Sequence, residues 1–206
     1  MEYIFLIIVL ILSIVIHEIA HGAMAYQLGD PTAKHAGRLT LNPIKHLDPI
    51  GSIVVPLLLV ITKSPLLIGW AKPVPINPYN FKDKKYGSMK VALAGPMANL
   101  SLALFFGLVI RFVPIGILPI QLIPMFSYIV YINILLAIFN LLPIPPLDGS
   151  HVLFTFLPDN EISHNIKMFL HQYGFIILLF FLFFLFQYLS VVINLIFSLI
   201  TGFPLF

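Results

Sequence analysis

The sequence predicts an all-α fold: a polytopic membrane bundle of about four to six segments, with one re-entrant segment and short β elements near a polar site. Three observations predict it. Of 206 residues, 60% are apolar and 9% charged, whereas about a quarter of the residues in soluble domains carry charge. Several apolar runs approach or exceed the roughly 20 residues that cross a hydrocarbon core of about 30 Å as a helix. The alternating pattern of a membrane β-barrel is missing, so helices must satisfy the backbone polar groups.

The elements follow in order. A first helix is expected over 3–28, stopped by Gly29-Asp30-Pro31. Its opening stretch, 1–16, lacks the basic start and small-residue cleavage site of a signal peptide, so it is expected to remain in the protein. Residues 32–48 are mixed and carry Lys34, Arg38 and Lys45, which puts them on the cytosolic side; the run 37–41 reads as a short strand. The apolar stretch 50–68 is interrupted by Pro56 and by Lys63-Ser64-Pro65. If it crossed fully, Lys72, Lys82, Lys84, Lys85 and Lys90 would lie opposite the first cations, so a re-entrant insertion is expected. Residues 70–78 read as extended, because each residue before a proline is pushed towards β geometry. A helix is expected over 88–113, and Gly95 and Ala98 in it serve either close packing or the site. A further run over 118–142 returns to the cytosolic side and is braked by Pro143, Pro145 and Pro146. Residues 175–200 form one long helix or a pair kinked around 187–190. One domain over 1–206 is expected, with a catalytic core over about 3–153 and a C-terminal membrane helix or pair over about 172–201.

Composition excludes several function classes. With no cysteine, disulfides and thiolate metal sites are absent, and a metal must use His and carboxylate ligands. The net charge of +3 fits cytosol-facing loops; no basic patch with interleaved aromatics points to nucleic acid.

The chemistry concentrates at His17-Glu18-Ile19-Ala20-His21, inside the first apolar run. Residues four apart share a helix face, so both imidazoles can address one Zn²⁺, with Glu18 placed to take a proton from water. Given the chain's composition, this pattern arises by chance in roughly three chains per thousand. The alternative is a polar cluster satisfied by neighbouring helices, although His and Glu are costly in apolar helices. Two His leave a zinc site incomplete, since catalytic zinc takes three protein ligands and one open position. Asp48 and Asp83 lie in charged loops, Asp30 and Asp159 beside prolines and Glu2 at the terminus. Asp148 alone follows a long apolar run through a proline-braked turn and is assigned as the third ligand, the alternative being a cap or turn residue. Asn77, Asn99, Asn140 and His151 either line a water path or pack as hydrogen-bonding residues. His35, His46, His164 and His171 read as surface or interface residues.

Together His17–His21, Gly95-Pro96-Met97-Ala98-Asn99 and the stretch 140–149 resemble the site-2 protease family of intramembrane zinc metalloproteases (peptidase family M50), in its short prokaryotic form without PDZ or CBS domains. The resemblance covers nearly the whole chain up to about residue 153. It implies one zinc per chain held by His17, His21 and Asp148, Glu18 as base, and Asn140 as a donor to substrate or oxyanion. It further implies regulated intramembrane proteolysis of membrane-protein substrates, in a multi-pass protein of the cell membrane with its site towards the cytosol. A membrane-embedded regulator is compatible with it. An extended substrate could add as a strand beside 37–41 or 72–77. A metal transporter is the competing class, and Glu18 separates the two: hydrolysis needs a base, whereas transport needs a second ligand set, which the sequence lacks. An inactive membrane scaffold would have no use for an intact set of base and ligands.

Overall fold

The computed structural model describes residues 2–54, 58, 61, 72–114, 119 and 121–204. Its elements are helices: α1 (Glu2–Gln27), the short α2 (Thr32–His35), α3 (Gly87–Phe112), α4 (Leu122–Asn140), α5 (Asp148–Phe156), α6 (Glu161–Phe184) and α7 (Phe186–Thr201). Of these, α1, α3, α4 and α6 are long and apolar enough to cross a membrane. At 1.5 Å per residue, the 26 residues of α1 reach about 39 Å.

The bundle is built around α3, which packs against α1, α4, α5 and α7. Its sequence explains why. Gly87, Val91, Gly95, Asn99, Ala103 and Gly107 recur every fourth residue and are all buried, forming one narrow stripe along the helix. In lipid no hydrophobic force presses apolar helices together, so close backbone approach supplies the packing. Near one end of the stripe, a side chain on Gly107 would collide with Ile200 of α7. Below it, Ala103, Val130, Ile134, Leu189, Ile193 and Phe197 form the apolar core shared by α3, α4 and α7. By contrast α6 exposes Phe175, Phe180, Phe183 and Phe184, an apolar surface suited to lipid.

Beyond α1, Gly29 takes φ 103° and turns the chain so that Asp30 lies fully buried. Asp30 then collects the amides of Thr32 (3.2 Å) and Asn77 (2.7 Å) and the Asn80 side chain (2.8 Å). This carboxylate ties the end of α1 to the extended stretch that precedes α3.

The structure changes several expectations. Residues 37–41 are not a strand: Gly37 adopts φ 62°, and Arg38 is buried with its guanidinium donating to the carbonyls of Lys72 and Pro73 at 2.6 and 3.3 Å. A strand would need that backbone facing a partner; the chain is turned instead to aim Arg38. No strand occurs among the described residues. Residues 72–77 are extended, but the N–H groups of Lys72, Val74 and Asn77 are spent on His46, Glu18 and Asp30. With Pro73 and Pro75 lacking N–H groups, this stretch forms a wall and offers little edge to an added strand. The expected re-entrant segment 50–68 falls largely outside the described residues; its start, Pro49–Val54, is a helical turn capped by Asp48. The C-terminal run is a helix pair, as the second alternative had it, but the break lies at Leu185 and the first member begins at Glu161.

Candidate metal centre

His17 and His21 lie one turn apart on α1, about 15 Å and about 9 Å from its C-terminal end. Helical spacing places both imidazoles on the face packed against α3, where they are buried. There α3 offers Gly95, and only glycine fits: a Cβ would stand 2.5 Å from His21 Nε2 and 2.6 Å from His17 Nε2. The sequence left Gly95 open between packing and function. It serves both, because close helix approach here is what admits the imidazoles.

The far side of each ring is fixed by α3. His21 Nδ1 donates to the Val91 carbonyl at 2.7 Å, and His17 Nδ1 lies 2.6 Å from Asn99 Oδ1. Both Nε2 atoms therefore point to one spot. Asp148 reaches it from another direction. Asn140 ends α4, the turn through Pro143 and Pro146 follows, and Asp148 opens α5. Ser150 closes this turn, its hydroxyl donating to the Leu147 carbonyl at 2.7 Å. Gly149 lies against the carbonyls of Leu141 and Leu142, too close for any side chain.

Three donor atoms thus converge. His17 Nε2 and His21 Nε2 are 3.0 Å apart, and Asp148 Oδ2 is 3.1 Å from the first and 3.2 Å from the second. Two ring nitrogens and a carboxylate oxygen at such separations need a proton or a cation among them. Tetrahedral zinc with bonds of about 2.0–2.1 Å sets neighbouring donors about 3.3 Å apart, so this trio matches one face of such a site. Among the described residues it is the group of His and acidic side chains close enough to hold a metal ion.

The trio opens on a cavity of about 380 Å³ lined also by Glu18, Val74, Asn140 and His151. Glu18 follows His17 by one residue and accepts a 2.8 Å hydrogen bond from the Val74 amide through Oε2. Asn140 donates one amide hydrogen to the Leu136 carbonyl at 2.9 Å. The structure therefore brings His17, Glu18, His21, Asn140 and Asp148 to one cavity. Asn99 and Asn77 do not line it: Asn99 is fully buried against His17, and Asn77 caps the turn at Pro78–Asn80. His46 is also not a surface residue, being 1% exposed with Nε2 bonded to the Thr40 carbonyl. Sequence reasoning passed over Ser13 and Asn133, both buried near Asn99. Their signal was available, since a polar side chain inside an apolar helix is costly unless it has a partner.

The sequence has relatives. The profile of Peptidase family M50 matches residues 114–181, a stretch that contains Asn140 and Asp148. YwhC of Bacillus subtilis, named a zinc metalloprotease, is 41% identical over 181 residues, covering 85% of this chain and 78% of the relative. Rip2 of Mycolicibacterium smegmatis, named likewise, is 32% identical over 142 residues, which is 68% of this chain and 52% of Rip2. MJ0611 of Methanocaldococcus jannaschii, also so named, is 49% identical over 65 residues, about a third of each chain. No solved structure matches.

Proposed function

The chain belongs to peptidase family M50, and from that premise we propose that it is a zinc-dependent endopeptidase hydrolysing peptide bonds in or near the transmembrane segments of other membrane proteins. The observation that carries this reading is the convergence of His17, His21 and Asp148 on one point, with Glu18 on the same cavity. The donor set fits zinc: two nitrogens, one carboxylate oxygen, no thiolate, and a cavity on the open side. Bound there, zinc would act as a Lewis acid, polarising the scissile carbonyl and making water acidic enough to attack at neutral pH.

The chain's own residues supply the rest. Glu18 takes the proton of the attacking water and hands it to the leaving amine, so one carboxylate serves as base and then acid. Its Oε2 is steadied by Val74 N–H, which leaves Oε1 for proton transfer. Asn140 has one amide hydrogen on Leu136 and a second for the oxyanion that develops on the substrate carbonyl, an effect worth about 3–4 kcal/mol at comparable sites. Gly95 and the Asn99 and Val91 acceptors hold the imidazoles without further adjustment.

The membrane setting follows from the spans and the charges. The site lies towards the end of α1 from which Lys34 and Arg38 follow, and the lysines 82–90 precede and open α3 at that same end. Positive loops face the cytosol, so the site opens towards the cytosolic third of the cell membrane. A transmembrane substrate hides its carbonyls in its own helix and must unwind locally to present one.

Co-expression with a panel of single-span membrane proteins tests the reading. Cleavage of at least one by the wild type, lost on Glu18→Gln, is the expected outcome. Zinc flux across proteoliposomes without any Glu18-dependent cleavage would replace hydrolysis with metal transport.

A further inference from the structure

Behind the candidate metal centre, three helices contribute one polar side chain each to a closed contact that does not reach the cavity. Ser13 of α1, Asn99 of α3 and Asn133 of α4 are 3%, 0% and 0% exposed. Asn133 Nδ2 donates to the Ile129 carbonyl and to Ser13 Oγ, both at 2.9 Å. Asn99 Nδ2 donates to Asn133 Oδ1 at 2.8 Å and to the Ser13 carbonyl at 3.2 Å. Asn99 Oδ1 then meets His17 Nδ1 at 2.6 Å.

The direction of this chain of bonds is dictated from its far end. A backbone carbonyl can only accept, so Ile129 fixes the NH₂ end of Asn133 and turns its oxygen towards Asn99. The Ser13 carbonyl and that oxygen together fix the NH₂ end of Asn99. What remains to face His17 is an acceptor. The ring proton must then sit on Nδ1, and Nε2 is left bare, pointing at His21 and Asp148. A flipped Asn99 would offer His17 an N–H, move the ring proton to Nε2 and remove the lone pair; the flip would also break the bonds to Ser13 and Asn133.

We propose that Asn133 is a positioning residue for the metal centre: acting through Asn99, with Ser13 as the third strut, it holds His17 in the Nδ1–H tautomer that leaves Nε2 free as a ligand. This rests on the reading of His17, His21 and Asp148 as zinc ligands. Outer hydrogen-bond partners of ligating imidazoles are typically worth 10–100-fold in metal affinity. The special feature here is that the controlling residue lies one step further out and on a different helix.

Zinc affinity measured by chelator competition on the full chain in detergent tests it, with helicity followed alongside. Asn133→Leu should weaken zinc binding about 10–100-fold. Asn99→Asp presents His17 with an acceptor whichever way it turns, so adding Asn133→Leu in that background should cost less than about threefold. Equal losses in both backgrounds would overturn the relay, because a merely structural residue matters equally in each. Unchanged affinity in Asn133→Leu would also overturn it. A measurement on the metal-free wild type needs no variant: ¹⁵N shifts should show His17 as the Nδ1–H tautomer at a pH where it is neutral, and an Nε2–H tautomer contradicts the proposal. Wild-type protein that binds no zinc in a His17-dependent way would overturn the zinc reading itself.

Discussion

At the scale of single residues, two positions carry separable consequences. Gly95→Ala should raise the helix propensity of α3 by about 1 kcal/mol while driving a methyl into both Nε2 atoms. Its expected signature is therefore unusual: helicity and melting temperature retained, zinc affinity down at least about tenfold, checked by chelator competition beside a thermal melt. Asp30 belongs to stability and not to chemistry. Burial raises its carboxyl pKa, and the hydrogen bonds from Asn77, Thr32 and Asn80 outweigh that and bring it below the ordinary carboxylate range. Because the folded value is the lower one, its contribution is complete above the unfolded pKa of about 3.9 and disappears as pH falls through the folded value. Melts should therefore show the Asp30 contribution unchanged from pH 6 to about 5 and lost only as pH falls below about 3.9 in the wild type, a loss that is smaller in Asp30→Asn, which starts lower. The sequence made His17, Glu18, His21 and Asp148 legible because each is an expensive residue with a known partner chemistry. It left Asn99 open between a water path and hydrogen-bonded packing, and Asn133 unnoticed, since a lone Asn in an apolar helix does not say which neighbour it meets.

At the scale of elements, periodicity and proline placement located the spanning helices well: 3–28 became Glu2–Gln27, and 88–113 became Gly87–Phe112. What failed was the strand at 37–41. Its alternation was genuine, yet a buried Arg38 seeking carbonyls on the neighbouring loop decided the local backbone, and tertiary demand of that kind leaves no periodic trace. The turn between α4 and α5 was legible as a brake, but its closeness was not. Gly149 touches the Leu141 and Leu142 carbonyls, so Gly149→Ala must displace the start of α5 and with it Asp148. Zinc content should fall to half or less of the wild-type value, since a ligand shift of about 1 Å is enough to spoil such a site. Elemental analysis of the purified variant, with circular dichroism to confirm retained helicity, checks it.

At the scale of the whole molecule, four apolar helices carry cation-rich loops at one end and a polar cavity near that end. The orientation is directly testable because the chain has no cysteine. Single cysteines at Lys34 and Lys85 should label with an impermeant maleimide in inverted membrane vesicles and stay protected in intact spheroplasts; labelling in spheroplasts would reverse the topology. In the proposed function one zinc, held by two helix-borne histidines and the α5 aspartate, supports peptide-bond hydrolysis with Glu18 as the base. Its most direct test is a paired assay of zinc content and substrate cleavage on purified wild type, Glu18→Gln and Asp148→Ala in proteoliposomes. We expect about one zinc per chain and cleavage in the wild type, zinc without cleavage in Glu18→Gln, and loss of both in Asp148→Ala. Cleavage by Glu18→Gln, or full zinc occupancy in Asp148→Ala, would contradict it.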